Sequence, residues 1–177
     1  ARAEFRDIAA AFLSLDAAIP SGALHGFLGT VLRLAGQYGG YFKDIDFADK
    51  GPVVVCLFGA PVAHENDLQR AADFLLALQE QAAGVRWRAG LTYGTVYAGI
   101  VGGAERAEYT AIGGVVNLAA RLMMRAEWGQ VLLPGSQFWA SLRFNSDVTL
   151  THGDGGAPQL RPHVVAPAAA LAQALAH

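Results

Sequence analysis

Two residues four apart, Asn117 and Arg121, carry the most readable chemistry in this chain of 177 residues. At that spacing they share one face of a helix. Arg121 offers a planar fork of donors suited to phosphate, and Asn117 adds a neutral donor and acceptor beside it. A cation and an amide projecting from one helix could stabilise a polyphosphate as charge builds on it during reaction. The preceding loop would bring Thr110 and backbone groups to the same place. The competing reading is structural, with Arg121 lying along an amphipathic helix and Asn117 capping it; on spacing alone that reading is the commoner one.

No other reactive residue type is arranged so suggestively. The histidines, His25, His64, His152, His163 and His177, include no close pair and no cysteine at zinc-ligand spacing, so a zinc site is not expected. Cys56 lies in the apolar run Val53-Val54-Val55-Cys56-Leu57-Phe58 and reads as core filling. A single cysteine permits no disulfide within the chain, which suits a reducing, cytoplasmic setting. The start carries Arg2, Glu4, Arg6 and Asp7 in place of an apolar leader, and without an initiator Met it reads as a piece of a longer protein.

Composition narrows the classes. Hydrophobic residues make up 53% and charged residues 16%, enough for a sizeable core. Thirteen Lys and Arg against fifteen Asp and Glu leave a net charge of −2, with no basic surplus for a nucleic-acid partner. Mean hydropathy is high at +0.30, yet the apolar runs are short and fall well below the roughly 20 residues of a membrane helix. The surplus apolar surface must enter a core, an interface, or both.

The elements that position Asn117 and Arg121 follow from periodicity. Residues 8–15 predict a buried strand. Ser21 is placed to cap a helix marked by Leu24, Phe27, Leu28, Val31, Leu32 and Ala35, ended by Gly36, Gly39 and Gly40. Strands are expected at 41–46 and 52–58, then a helix capped by Asn66 or Asp67. Residues 85–92 and 95–101 read as two strands with Tyr93-Gly94 as the hairpin turn. A helix at about 115–126 follows, then a strand at 130–133, a helical turn at 136–142 and two weaker strands within 148–165. The order β-α-β-β-α-β-β-α-β predicts an α+β fold, a ferredoxin-like, palm-type mixed sheet with flanking helices. Residues 1–165 read as a single domain and 166–177 as an Ala-rich C-terminal tail.

The stretch around the pair is more specific than the pair. Gly94 and Gly99 fall in the region of the expected strand pair, and Tyr109-Thr110, Ile112-Gly113, Val116-Asn117, Ala119 and Arg121 follow at fixed spacing. Upstream stand Leu57-Phe58-Gly59-Ala60-Pro61 and His64-Glu65-Asn66-Asp67. This pattern resembles the catalytic domain of class III adenylate/guanylate cyclases, over about residues 5–142. The resemblance implies two domains paired head-to-tail with the active site between them. It implies two aspartates holding magnesium or manganese, and an Asn and an Arg from the other domain steadying the ribose and the phosphorus. The implied product is a 3′,5′-cyclic nucleotide with pyrophosphate.

The chain also departs from that pattern. Ser14 stands at the first metal-aspartate position, and Pro52, preceded by Gly51, at the second. Asp16, Asp46 and Asp49 lie nearby but out of register, and a one-residue shift along a strand turns a side chain to the other face. No metal ligand is therefore expected from this chain, and Mg²⁺ or Mn²⁺ would enter only through a partner. Keeping Asn117 and Arg121 while lacking the aspartates makes the chain resemble a C2-type half, and the insertion ahead of Pro52 resembles the second half of soluble, bicarbonate-responsive-type and bacterial multidomain cyclases.

The nucleotide-binding residues implied by the resemblance are Lys43, Asp44, Thr110 and Ile112, with Asp44 at the purine-reading lysine's position and Lys43 one residue away. Arg143 or Arg161 would replace a triphosphate-anchoring lysine. The expected partners are ATP or GTP and a C1-type domain, or a second copy of the chain. The alternative expectation is an inactive cyclase-like domain with a regulatory, nucleotide-binding or dimerisation role. The turn a diguanylate cyclase would need is absent.

Overall fold

The structure is a computed structural model that describes residues 3–82, 84–103, 106–134, 151–152 and 158–160. In chain order its elements are β1 (Glu4–Leu15), α1 (Ser21–Gln37), β2 (Gly40–Ala48), β3 (Gly51–Phe58), α2 (Asp67–Gln81) and β4 (Trp87–Gly103). They continue with β5 (Arg106–Ile112), α3 (Gly114–Arg125), β6 (Val131–Leu132), β7 (Thr151–His152) and β8 (Pro158–Leu160). The strands form a mixed sheet ordered β2-β3-β1-β4-β6-β8-β7, with β5 added to the far end of β4. β1 runs antiparallel to both β3 and β4, whereas β6 runs parallel to β4.

The central strand explains the apolar reading of its sequence. Ala9, Ala11, Leu13 and Leu15 point into a core shared with α1 and α2. Ile8 and Ala10 point into a second core shared with α3. With both faces covered, strict alternation with polar residues is lost and the strand reads as one apolar run. The larger core holds Phe27, Phe58, Phe74 and Trp87, with Phe58 and Phe74 at 5.4 Å between ring centroids.

The mixed sheet with flanking helices agrees with the sequence-based expectation. The strands differ in one region: those expected at 85–92 and 95–101 are the single strand β4, and Thr110, expected in a loop, lies in β5. β4 passes unbroken through Tyr93 and Gly94, because β1 pairs with it continuously from Glu4 opposite Ala98 to Leu15 opposite Trp87. The hairpin lies further on, between Gly103 and Arg106. Gly94 serves packing, not turning: a Cβ there would meet Val115 Cγ2 of α3 at 2.6 Å.

The caps also differ. α1 begins at Ser21 itself, with Pro20 at the cap position and no side-chain cap. At α2, Asn66 Oδ1 accepts from Arg70 Nε, while Asp67 Oδ2 accepts from the His64 backbone N–H at 2.7 Å. The expected helical turn at 136–142 and the tail at 166–177 lie outside the described residues. No helix among the described residues is long and apolar enough to cross a membrane.

Cys56 is fully buried, and burial pushes its thiol up to about 12. Only a thiolate attacks an aromatic disulfide reagent at a useful rate. The folded protein at pH 8 should therefore leave Cys56 unmodified, with one equivalent reacting once denaturant unfolds the chain. Stoichiometric release of the chromophore from native protein would contradict this burial.

Candidate functional site

The site is built on α3, and α3 is placed by β4. On the face that meets α3, β4 presents Gly90, Thr92, Gly94 and Val96. A Cβ on Gly90 would fall on the Ala119 carbonyl oxygen and within 2.6 Å of Met123 N, so bare backbone is required there. Thr92 Oγ1 donates to the Val115 carbonyl at 2.8 Å, tying the first turn of the helix to the strand. Gly113 precedes the helix, and its carbonyl accepts from Val116 N at 3.2 Å and Asn117 N at 3.4 Å.

Docked this way, α3 buries Ala119, Leu122 and Met123. Asn117, Leu118, Arg121, Met124 and Arg125 stand on the exposed side. Asn117 and Arg121 thus share one solvent-facing surface, as their spacing predicts. Neither side chain makes a hydrogen bond or ion pair among the described residues. Leu118 and Met124 beside them are 39% and 43% exposed, so two free polar groups sit among uncovered apolar side chains.

The second group of predicted residues comes from β2 and β5. The register of β2 against β3 shifts between Phe42, opposite Cys56, and Asp44, opposite Val55. Lys43 is the extra residue of this bulge, a device that bends a strand and re-aims its side chains. Lys43 Nζ lies 2.6 Å from Glu108 Oε1 on β5. The Tyr41 and Tyr109 rings meet edge to face at 6.2 Å beside it. β3 and β1 separate β2 from β4 in the sheet, so the β4–β5 hairpin must curl back over the sheet face to make these contacts.

The hydrogen bond from Lys43, and then its charge, hold the Glu108 carboxyl below the ordinary glutamate range. The pair is therefore formed at neutral pH and is lost as pH falls through that lowered value. Thr110 and Ile112 follow Glu108 at two-residue steps and share its face of β5. Thr110 is half-buried opposite Gly99, and Ile112 is exposed opposite Tyr97. Asp44 is exposed, and its Oδ1 accepts from the Ile45 backbone N–H at 2.8 Å. Glu108 was not among the predicted residues; it lies 65 positions from Lys43, and only the folded-back hairpin joins them.

The two positions matched to metal aspartates are adjacent, since Ser14 pairs with Val53 and Pro52 is the next residue of β3. Their donors do not suit a hard divalent cation, which takes carboxylate and carbonyl oxygens. Ser14 is a buried neutral hydroxyl, and Pro52 has no side-chain donor. Asp16 is engaged elsewhere, accepting from Ala18 N at 3.0 Å and facing Arg86 at 3.6 Å. The cross-strand neighbour of Ser14 on β4 is itself a cation, Arg88. Among the described residues no cluster of three His, Cys, Asp or Glu side chains could hold a metal. Arg143 and Arg161 lie outside the described residues. A cavity of about 200 Å³ between the β1–α1 loop and the start of β4 is lined by Asp16, Ile19, Pro20, Val85 and Arg86, and holds none of the predicted site residues.

Comparison with known proteins agrees with this architecture. The sequence model of the family described as "Adenylate and Guanylate cyclase catalytic domain" matches residues 51–152. Adenylate cyclase 1 of Rhizobium meliloti (strain 1021) is 31% identical over 58% of this chain and 18% of its own length. Adenylate cyclase type 10 of Rattus norvegicus is 34% identical over 62% of this chain and 7% of its own length. The chain thus spans less than a fifth of either relative. Among solved structures, the adenylyl cyclase CyaB from P. aeruginosa superposes with a TM-score of 0.71 at 18% identity, covering 90% of this chain and 96% of that one. A bacterial light-regulated adenylyl cyclase gives 0.66 at 15% identity, covering 98% of both chains. At such identities the structural matches speak for the fold.

The seating of α3 on bare backbone has a measurable cost when disturbed. Gly90→Val should lower unfolding free energy by about 1–3 kcal/mol through overpacking. Thr92→Val, which removes one hydrogen bond to the helix, should lower it by about 1 kcal/mol. Urea denaturation followed by circular dichroism reads both; a Gly90→Val protein as stable as the parent would show that α3 does not lie where described.

Proposed function

The chain belongs to the adenylate and guanylate cyclase catalytic domain family, and on that premise we propose that it is the C2-type half of a two-domain adenylyl cyclase. In this reading ATP is converted to 3′,5′-cyclic AMP and pyrophosphate at an interface. The observation that carries it is an asymmetry. Asn117 and Arg121 stand exposed on a firmly seated helix, with no side-chain partner among the described residues, while Ser14 and Pro52 occupy the positions where carboxylates would be needed.

The chemistry assigned to this chain is electrostatic and positional. The 3′-oxygen of the ribose attacks the α-phosphorus, its proton is lost, and the bond to pyrophosphate breaks. Arg121 presents several N–H donors to the oxygens around that phosphorus and counters charge as it gathers there. The Asn117 amide, one turn away, orients the ribose. Lys43 and Thr110, with Asp44 and Ile112 alongside, face the base. Magnesium or manganese bound by the partner's carboxylates would supply an activated 3′-hydroxyl and a held triphosphate. Leu118 and Met124 suit burial against that partner, because exposed apolar side chains around polar groups mark contact surfaces.

A second reading has its own observation. The Glu108 carboxylate already neutralises Lys43, and no cluster of metal carboxylates lies among the described residues, which favours a regulatory or dimerising domain without turnover. The two readings part in a reconstitution assay.

The chain alone with ATP and Mn²⁺ should form little cyclic AMP. Mixed with a cyclase domain that retains both aspartates, it should turn over ATP, and Arg121→Ala should reduce kcat by about 10²–10³-fold. Strong activity of the isolated chain would overturn the assignment of the metal side to a partner. An inactive mixture would favour the regulatory reading.

A further inference from the structure

α3 is held to the sheet at its first turn by Thr92 and along its middle by Gly90, but its last turn has a different anchor. Arg88 Nη1 donates to the Ala126 carbonyl at 2.9 Å and to the Met124 carbonyl at 3.4 Å. The C-terminal carbonyls of a helix have no partner within the helix and carry its negative pole, so a guanidinium satisfies both needs. The guanidinium also stacks 4.6 Å from the centre of the Trp128 ring, and Arg86 lies 5.1 Å from the same ring. Its plane is thereby fixed. Arg88 Nε is buried without a hydrogen-bond partner among the described residues, so this orientation is kept at the cost of one donor.

We infer that Arg88 is a positioning residue for Arg121: it clamps the end of α3 and so sets where the Arg121 side chain stands along the helix axis. The inference rests on the function proposed above for Arg121. Arg121 precedes the clamped carbonyls by less than two turns, and a rigid short helix transmits any slide or fray at its end to that residue. Reaction rates are sensitive to displacement on the order of 1 Å. Lysine would substitute poorly, because an ammonium lacks the planar guanidinium that stacks on the indole while one of its nitrogens reaches both carbonyls. The loop after α3 is attached to β4 separately, through Gly129 N to the Trp87 carbonyl at 2.8 Å and Ala89 N to the Gln130 carbonyl at 2.9 Å. Loss of the Arg88 clamp should therefore loosen the helix end while leaving the fold in place.

Arg88→Lys and Arg88→Met test this in two measurements. Amide hydrogen exchange on the isolated chain should rise by about tenfold or more over residues 122–126 in both variants, with the core strands unchanged. In the reconstituted pair, Arg88→Lys should lower kcat about tenfold or more with KM for ATP within twofold. Unchanged exchange in both variants would overturn the clamp, whatever the activity. A loss expressed mainly in KM would overturn positioning in favour of direct substrate contact. If Arg121→Ala leaves turnover intact, or no partner yields turnover, the proposed function fails and with it the catalytic part of this inference; the exchange data still decide whether Arg88 holds the helix.

Discussion

At Gly90 and Gly94 the sheet presents bare backbone, and α3 uses both positions to settle onto β4 at a range that side chains would forbid. The consequences reach the chemistry directly. A helix lying this close has one face wholly committed to Ala119, Leu122 and Met123, so its opposite face is set without ambiguity. Asn117 and Arg121 occupy that face and have no choice of direction. Thr92 below Val115 and Arg88 below Ala126 fix the helix lengthwise, which a smooth glycine track cannot do.

The sheet can accept such a helix because β1 and β4 are buried on both faces over much of their length. α1 and α2 cover one side with the aromatic core around Phe58, Phe74 and Trp87. The other side has a smaller core of Ile8, Ala10, Val96 and Ala98, whose modest side chains leave room for α3. Size is divided between the two faces accordingly. Bulky residues build stability on one, and small ones allow close approach on the other, where the candidate site lies.

The same face carries a marked asymmetry of charge. Arg121 has no side-chain partner among the described residues, while Ser14 on the α3 side of β1 offers only a neutral hydroxyl and Pro52, next to its partner Val53 on β3, brings no donor. On the edge strand β2, Lys43 is already matched to Glu108 through a hairpin curled over the sheet. A surface so arranged can stabilise negative charge brought to it, and among the described residues it has no carboxylate cluster to gather cations. The uncovered Leu118 and Met124 on that surface make it suited to burial against another domain.

Much of this was legible in the chain itself, because local rules act over short separations. The apolar run of β1 and the 3.6-residue periodicity of the helices marked those elements, and the four-residue step from Asn117 to Arg121 placed both on one helical face. Neighbouring positions on a regular element have a fixed geometry that needs no tertiary information. Long-range features were not legible in this way. Gly94 read as a turn because a glycine looks alike whether it bends the chain or makes room for Val115, and only the continuous pairing of β1 with β4 decides between the two. Glu108 and Arg88 gave no signal at all, since their partners lie 65 and 38 positions away. The sequence by itself determined which residues could act and which element would carry them. The tertiary structure alone decided how that element is anchored and which charges are already spent, because those contacts form only when distant strands and helices are packed together.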